Sequence, residues 1–171
     1  MEFFSLNPKQ KISTLSKGMR AKYALALALS HDADLLIMDE PTSGLDPLVR
    51  REFMDIILDF MKKDGKSVLF STHIVSDLER VADMLLLIHK GNIVLQEEKD
   101  TLLDKHKLIK GKKTEITAES RKLFLSLNET EYGFEGITKN IEQIKRLCPS
   151  AIVERATIED IMLAYVGGNK K

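Results

Sequence analysis

The sequence predicts an α/β fold, because segments with helical periodicity alternate with short, wholly apolar runs. Residues 35–38 and 68–70 form two such runs, which are typical of strands buried on both faces of a parallel sheet. Between them lies a segment whose apolar residues share one helical face, namely Val49, Phe53, Ile56, Ile57 and Phe60. This order of strand, helix and strand is the basis of the predicted sheet.

Composition and charge narrow the class of protein. The 171 residues allow one domain, or one domain with a small appendage, and 43% hydrophobic with 30% charged residues indicates a folded globular chain. The number of lysine and arginine residues equals the number of aspartate and glutamate residues, 26 against 26, and this balance argues against a dedicated nucleic-acid binder. Cys148 is the only cysteine, so an intramolecular disulfide and a cysteine zinc site are excluded. No apolar run approaches the roughly 20 residues that span a bilayer.

Capping residues mark the start of two helices in the first half of the chain. Ser16 is a suitable N-cap for a helix that runs to about His31 through a stretch rich in alanine and leucine. Asp46 followed by Pro47 indicates an N-cap and a first helical residue. The first helical residue needs no N–H for the helix, so proline, which has none, fits there. A shorter helix over residues 75–82 is predicted after the second apolar run.

The later part of the chain predicts a hairpin, a linker and a small appendage. Residues 84–88 and 93–95 flank a Lys-Gly-Asn turn, which favours an antiparallel hairpin. Residues 109–113 are polar and basic, and they indicate a linker. We therefore expect two domains, 1–110 and 111–171, of which the second is a small α+β appendage.

Two adjacent acids, Asp39 and Glu40, follow the first apolar run. A carboxylate in this place lies at the carboxyl edge of an α/β sheet, where ligands bind. Asp39 could there hold Mg²⁺ through water while the cation bridges nucleotide phosphates. Glu40 could polarise an attacking water as a general base. The alternative interpretation is that the two acids only end a strand in a solvated loop.

His73 follows the second apolar run and is expected at the same edge of the sheet. An imidazole there can hydrogen-bond a terminal phosphate and position a water. A lone histidine in such a place is also commonly a structural hydrogen-bonding residue. The remaining histidines are assigned to that structural class: His31, His89 and His106.

The start of the first helix offers a second place for a phosphate. Ser16 and the backbone N–H groups around Gly18 open the helix, so they present a positive dipole end and free donors. Gly18 also permits a close approach of the backbone. Helix capping alone would equally explain Ser16, and it fully explains Asp46.

Taken in order, these residues resemble the motifs of the ATP-binding subunit of an ABC transporter. Residues 15–19 resemble the signature motif, residues 35–39 the Walker B strand, and residues 43–46 the D-loop. Glu40 resembles the catalytic glutamate beside Walker B, and His73 the switch histidine. The resemblance implies a partial P-loop NTPase (RecA-like) parallel sheet with flanking helices.

The resemblance also implies a set of site residues and ligands. Catalysis would fall to Glu40 and His73, with ATP as the nucleotide and Mg²⁺ held by Asp39 through water. The residues implied in nucleotide binding are Ser16, Lys17, Gly18, Asp39 and Asp46. The family further implies two partners, a transmembrane permease and a second nucleotide-binding subunit, without nucleic acid. It places such subunits in the cytoplasm, peripherally on the inner face of the cell membrane.

Some features depart from the family pattern or narrow it. Lys17 stands where the family often has glycine, and Met19 where it often has glutamine. Residues 46–51 and a final helix over residues 157–165, which begins at the capping Thr157, resemble bacterial exporters with a separate permease. The resemblance does not name the cargo.

No segment of the 171 residues matches the phosphate-binding pattern G-x-x-x-x-G-K-[ST]. The Gly-Lys pairs at residues 65–66 and 111–112 lack the remainder of this motif. The stacking aromatic and the glutamine loop of the family are also missing. The sequence is therefore expected to cover the later part of an ABC nucleotide-binding domain and to be inactive alone.

Two alternative functions stay open. A non-transport ABC ATPase that acts on DNA or the ribosome would share the signature and Walker B regions. It would usually add coiled coils or a second cassette, and the neutral charge argues against it. A non-catalytic remnant would fold without binding a ligand, although the presence of Asp39, Glu40 and His73 favours catalysis.

Overall fold

The structure of the protein, a computed structural model, describes Phe4 and residues 6–167. It divides into two compact units, Met1–Val81 and Ala82–Lys171. None of the helices formed by the described residues has the length and apolar character needed to cross a membrane.

The described residues of the first unit form three α-helices and two strands. After a short 3₁₀ turn at Ile12–Thr14 come α1 (Lys17–Leu29), β1 (Leu35–Asp39), α2 (Pro47–Met61), β2 (Ser67–Ser71) and α3 (Val75–Val81). The two strands pair in parallel, with Leu35 opposite Ser67 and Asp39 opposite Ser71. The mixed α/β class and the parallel sheet predicted from the sequence are confirmed.

Both predicted helix starts are present with the expected capping contacts. The Ser16 hydroxyl accepts a hydrogen bond from the Met19 N–H at 3.2 Å, and α1 begins directly after it. The Asp46 carboxylate accepts from the Val49 N–H at 3.0 Å, and Pro47 is the first residue of α2. Local side-chain chemistry therefore sets the start of each helix.

One face of the two-stranded sheet packs on the helices. The hydrophobic core between this face and the helices comprises Leu25, Leu36, Phe53, Ile56, Ile57 and Phe60. On the opposite face Ile37 is 71% exposed and Leu69 is 62% exposed. The expectation that both strands are buried on both faces is therefore wrong for the described residues, because the helices of this unit cover only one face.

The second unit begins with the predicted hairpin. Strands β3 (Met84–His89) and β4 (Asn92–Glu98) pair antiparallel, and Lys90 and Gly91 form the turn with φ values of 50° and 78°. Helix α4 (Lys99–Lys105) follows β4 directly. The left-handed backbone at the turn is typical of a tight hairpin, and it explains the glycine.

A four-stranded antiparallel sheet follows, with strand order β6-β7-β5-β8. The strands are β5 (Lys107–Gly111), β6 (Phe124–Glu129), β7 (Phe134–Thr138) and β8 (Ile152–Arg155). The helices are α5 (Ala118–Arg121), α6 (Ile141–Leu147) and α7 (Ile158–Gly167), and a 3₁₀ turn lies at Lys113–Glu115. The Thr157 hydroxyl accepts from the Asp160 N–H at 3.1 Å, so Thr157 caps α7 as predicted.

The linker predicted at residues 109–113 is wrong. Lys107–Gly111 is an internal strand of the sheet, and Ile109 is fully buried in its core. Lys110, on the other face of the strand, forms an ion pair with Glu154 at 2.7 Å. The lysines made the segment look solvated, although Ile109 and Lys110 lie on opposite faces of a strand. The boundary predicted at residue 110 falls inside the second unit.

Candidate functional site

Polar side chains meet at the carboxyl ends of β1 and β2. Asp39 and Ser71 are the last residues of the two strands and lie opposite each other. The Ser71 hydroxyl donates a hydrogen bond to Asp39 Oδ1. Asp39 is exposed. The serine therefore orients a carboxylate that faces solvent at the edge predicted from the sequence.

Glu40 has an unusual backbone at the same edge. Its φ is +44°, in the left-handed region that is unfavourable for a residue with a side chain. Its N–H is shared between the Ser71 carbonyl oxygen and the Ser71 hydroxyl, each at 3.1 Å. These bonds tie the sharp turn after β1 to the end of β2.

The Glu40 and His73 side chains lie against each other. His73 Nδ1 is 2.8 Å from Glu40 Oε2, and the two form an ion pair when the imidazole is protonated. The contact lacks the geometry of a hydrogen bond, and Oε2 is shielded from solvent with no donor among the described residues. The structure thus brings Asp39, Glu40 and His73 together around Ser71.

The residues at the start of α1 form a second group, which packs on the loop and helix that follow Glu40. A Cβ atom at Gly18 would lie 2.8 Å from Val49 Cγ1 in α2, so the absence of a side chain permits this helix contact. A Cβ atom at Gly44, where φ is +67°, would collide with the Lys17 amino group. Lys17 is exposed, and its amino group forms no ion pair with a described residue.

The two groups remain separate in their hydrogen bonding. No hydrogen bond or ion pair between described residues joins the start of α1 to Asp39, Glu40 or His73. Asp46 serves as the cap of α2, and Ser16 as the cap of α1. The loop that contains Gly44 runs from the first group to the second.

One buried pair at this site was missed from the sequence. The Thr42 hydroxyl donates to Asp77 Oδ2, and both residues are buried. Thr42 lies in the loop after Glu40, and Asp77 in the first turn of α3. A contact between residues 35 positions apart leaves no local pattern that periodicity or capping rules could detect.

The donor set at the sheet edge suits a cation that keeps most of its water. The described residues contain no group of three or more His, Cys, Asp or Glu side chains arranged to hold a metal ion. Mg²⁺ commonly binds proteins through only one or two carboxylates and fills its other positions with water and phosphate oxygens. The exposed Asp39 carboxylate fits that mode of binding.

Two of the remaining histidines, His31 and His106, contact backbone carbonyl oxygens four residues earlier in the sequence. His106 is buried, contacts the Leu102 carbonyl oxygen at 2.7 Å and lies 3.2 Å from the Tyr165 hydroxyl oxygen. Burial lowers the pKa of His106 below its ordinary value. His31 Nδ1 contacts the Leu27 carbonyl oxygen at 2.9 Å on the surface. Both contacts are those of structural residues at helix ends.

Comparison with known proteins identifies the relatives of this chain. The family model described as "AAA domain, putative AbiEii toxin, Type IV TA system" matches residues 5–76, less than half of the chain. The lantibiotic transport ATP-binding protein SrtF of Streptococcus pyogenes is 39% identical over 92 residues, which are 54% of this chain and 40% of SrtF. The Nod factor export ATP-binding protein I of Bradyrhizobium diazoefficiens is 37% identical over 108 residues, 62% of this chain and 35% of that protein. The homologues of this chain are ABC transporter ATP-binding proteins.

The fold agrees with this relationship. The ATP-binding cassette MJ0796, in a dimeric post-hydrolysis state bound to ADP and Pi, superposes with a TM-score of 0.51 at 23% identity, covering 57% of this chain and 43% of the cassette. A metal-chelate type ABC transporter in an inward-facing conformation gives a TM-score of 0.54 at 20% identity, covering 80% of this chain and 53% of that one. The chain therefore has part of the ABC cassette fold, and it spans about two fifths of the length of the first relatives it matches.

Proposed function

We propose that this chain forms part of an ATP-hydrolysing subunit of an ABC transporter, in which Glu40 polarises the attacking water. The observation that carries this proposal is the pairing of Glu40 with His73 at the carboxyl edge of the sheet, where Glu40 Oε2 lies 2.8 Å from His73 Nδ1. The Glu40 side chain is 35% exposed, so a water can reach its carboxylate and donate a hydrogen bond to it. Such a water is then polarised for attack on a terminal phosphate, which the His73 imidazole contacts.

Asp39 is the third residue of the proposed site at the carboxyl edge of the sheet. Its exposed carboxylate holds Mg²⁺ through water, and the Ser71 hydroxyl fixes the orientation of that carboxylate. When it is bound, Mg²⁺ neutralises phosphate charge. Asp39, Glu40 and His73 then act on one nucleotide from one side.

The start of α1 binds the nucleotide held by a second subunit. Its free N–H groups carry the positive end of a 13-residue helix, and the first turn has no acidic residue to compensate it. The exposed Lys17 amino group adds a full positive charge beside Gly44. Ser16 and Gly18 complete this phosphate contact, and Asp46 contacts the partner subunit across the dimer.

The proposed activity needs parts that these 171 residues do not contain. The pattern G-x-x-x-x-G-K-[ST], which supplies most phosphate contacts in such enzymes, does not occur in the sequence. We expect the chain alone to bind Mg·ATP weakly and not to hydrolyse it. Its partners are a second nucleotide-binding subunit and a transmembrane permease, on the cytoplasmic face of the membrane. The name of the Nod factor export relative favours export.

One observation favours a second candidate function. The family model that matches residues 5–76 has a description that names no transporter. The second candidate is therefore a non-transport ATPase of the same fold, acting on DNA or on the ribosome. The equal numbers of acidic and basic residues weaken this candidate.

The experiment isolates the tagged protein from its native cells and identifies what is bound to it. The proposal predicts a complex that hydrolyses ATP and contains a multi-span membrane protein. Ribosomal particles or DNA in place of that membrane protein would support the second candidate. Titration of the purified 171-residue protein with Mg·ATP provides the complementary measurement. Binding at micromolar concentration would contradict the expected need for a separate phosphate loop.

A further inference from the structure

A buried side-chain pair joins the loop after Glu40 to the helix after His73. Thr42 is fully buried and Asp77 is 2% exposed, and the Thr42 hydroxyl donates a hydrogen bond to Asp77 Oδ2. Thr42 belongs to the loop after β1, whereas Asp77 lies in the helix that follows the His73 loop. The hydrogen bond therefore fixes the first loop to the start of α3.

The hydrogen bond between Thr42 and Asp77 restricts the relative position of the two side chains. A hydroxyl has a single proton to donate, and a buried carboxylate that loses its donor is left unsatisfied. Displacement of either side chain therefore breaks the hydrogen bond, whereas two apolar side chains can slide past each other and stay in contact. A satisfied buried polar pair specifies one relative position of the segments that it joins.

Two sets of hydrogen bonds, one on each side of Glu40, connect this part of the chain to the segment that contains His73. On one side the Glu40 N–H is held by the carbonyl oxygen and hydroxyl of Ser71, at 3.1 Å each. On the other side Thr42 is held by Asp77. Ser71 and Asp77 flank His73 in the sequence, so both links connect the Glu40 turn to the His73 segment. This arrangement explains how a glutamate stays at a φ of +44°.

We infer that Thr42 and Asp77 are positioning residues that hold Glu40 and His73 at their mutual distance. The His73 side chain is 70% exposed, so packing around the imidazole does not fix its place. The loop anchored by Thr42 and Asp77 keeps Glu40 Oε2 within 2.8 Å of His73 Nδ1. The catalytic consequence rests on the proposed function, whereas the geometry is a property of the chain alone.

The first test compares Thr42→Val, which removes the hydroxyl, with Thr42→Ser, which keeps it. Two amides report on the loop, because the Ser43 N–H donates to the Glu40 carbonyl and the Leu45 N–H to the Thr42 carbonyl, each at 3.1 Å. In the purified protein, Thr42→Val should speed hydrogen exchange at both amides about tenfold or more. It should also shift the NMR signals of the His73 imidazole, while Thr42→Ser should restore both readouts.

The matched control is Thr101→Val, which removes another hydroxyl that donates to a carboxylate, Glu98 Oε2, at 3.0 Å. It should change neither readout. The inference is overturned if Thr42→Val leaves both readouts unchanged, or if Thr42→Ser perturbs them as strongly. Should Thr42→Val fail to fold, Asp77→Asn replaces it, because the loss of charge weakens the acceptor while the shape is kept. Unchanged exchange and imidazole signals in that variant overturn the inference equally.

The second test is kinetic and uses the ATP-hydrolysing complex isolated from native cells. Thr42→Val should lower kcat about tenfold or more with little change in KM for ATP, and Thr42→Ser should recover the rate. An unchanged kcat in Thr42→Val overturns the positioning role in catalysis. If Glu40→Gln also leaves hydrolysis unchanged, the proposed function itself fails, while the exchange and imidazole measurements still decide the positioning of the loop.

Discussion

Replacing Gly18 with alanine separates the packing role of this residue from its proposed phosphate contact. A Cβ atom at Gly18 would lie 2.8 Å from Val49 Cγ1 and 3.3 Å from Val49 Cγ2. Val49 is β-branched and lies in a helix, where essentially one χ1 rotamer is favourable, so its methyl groups do not rotate away at low cost. The alanine methyl therefore pushes α1 away from α2.

Two opposing effects set the magnitude. Forcing an extra methyl into a packed contact typically costs about 1–3 kcal/mol. Alanine in place of a helical glycine recovers up to about 1 kcal/mol through helix propensity. We expect Gly18→Ala to lower the free energy of unfolding of the first unit by about 1–2 kcal/mol. In a Val49→Ala background the collision is absent, and the same substitution should be neutral or stabilising.

The assay is urea-dependent hydrogen exchange at the Ile57 amide, since Ile57 is fully buried in the core of the first unit. Gly167→Ala is the matched control, because a Cβ atom added to that helical glycine would meet no atom of the described residues within 4 Å, so the position should tolerate alanine. An equal loss of stability from Gly18→Ala with and without Val49→Ala would refute the steric explanation. Gly18 would then matter through its backbone conformation or its ligand contacts.

Two further predictions concern pH and association. Because burial lowers the pKa of His106, the folded chain binds fewer protons than the unfolded chain at mildly acidic pH, so stability should fall as the pH drops below the ordinary His value of 6.5. The measurement compares denaturation midpoints at pH 7.5 and pH 5.5, about one unit on each side of the ordinary value. The parent protein and His31→Gln should lose stability at the lower pH, whereas His106→Gln should not. An equal loss in all three proteins would contradict this explanation. The uncovered apolar face should make the isolated protein self-associate, so Ile37→Ser, but not Tyr132→Ser, should lower the mass measured by light scattering. A parent protein that is already a monodisperse monomer would contradict the second prediction.

Features set by local chemistry were predictable from the sequence. Ser16 and Asp46 cap their helices because a side-chain oxygen needs only the N–H three residues ahead of it. The meeting of Asp39 and His73 at one edge followed from two apolar runs in a parallel sheet. In each case the partner lies nearby in sequence or is fixed by the strand direction.

Features that depend on distant partners were not predictable. The apolar run that contains Ile37 is compatible with burial on both faces, and only the packing of the helices decides which face is covered. Lys110, Lys112 and Lys113 indicate a linker because composition does not show that Ile109 beside them enters a core. The Thr42–Asp77 bond depends on the whole arrangement of β1, β2 and α3.

The most direct test of the proposed function is ATP hydrolysis by the Glu40→Gln variant of the complex isolated from native cells. Glutamine keeps the shape of the side chain and removes the base, so the rate should fall by about two orders of magnitude or more while Mg·ATP binding is retained. Glu142→Gln, at an exposed position in α6, is the matched control and should hydrolyse ATP at the parent rate. An unchanged rate in Glu40→Gln would remove Glu40 from catalysis and contradict the proposed function.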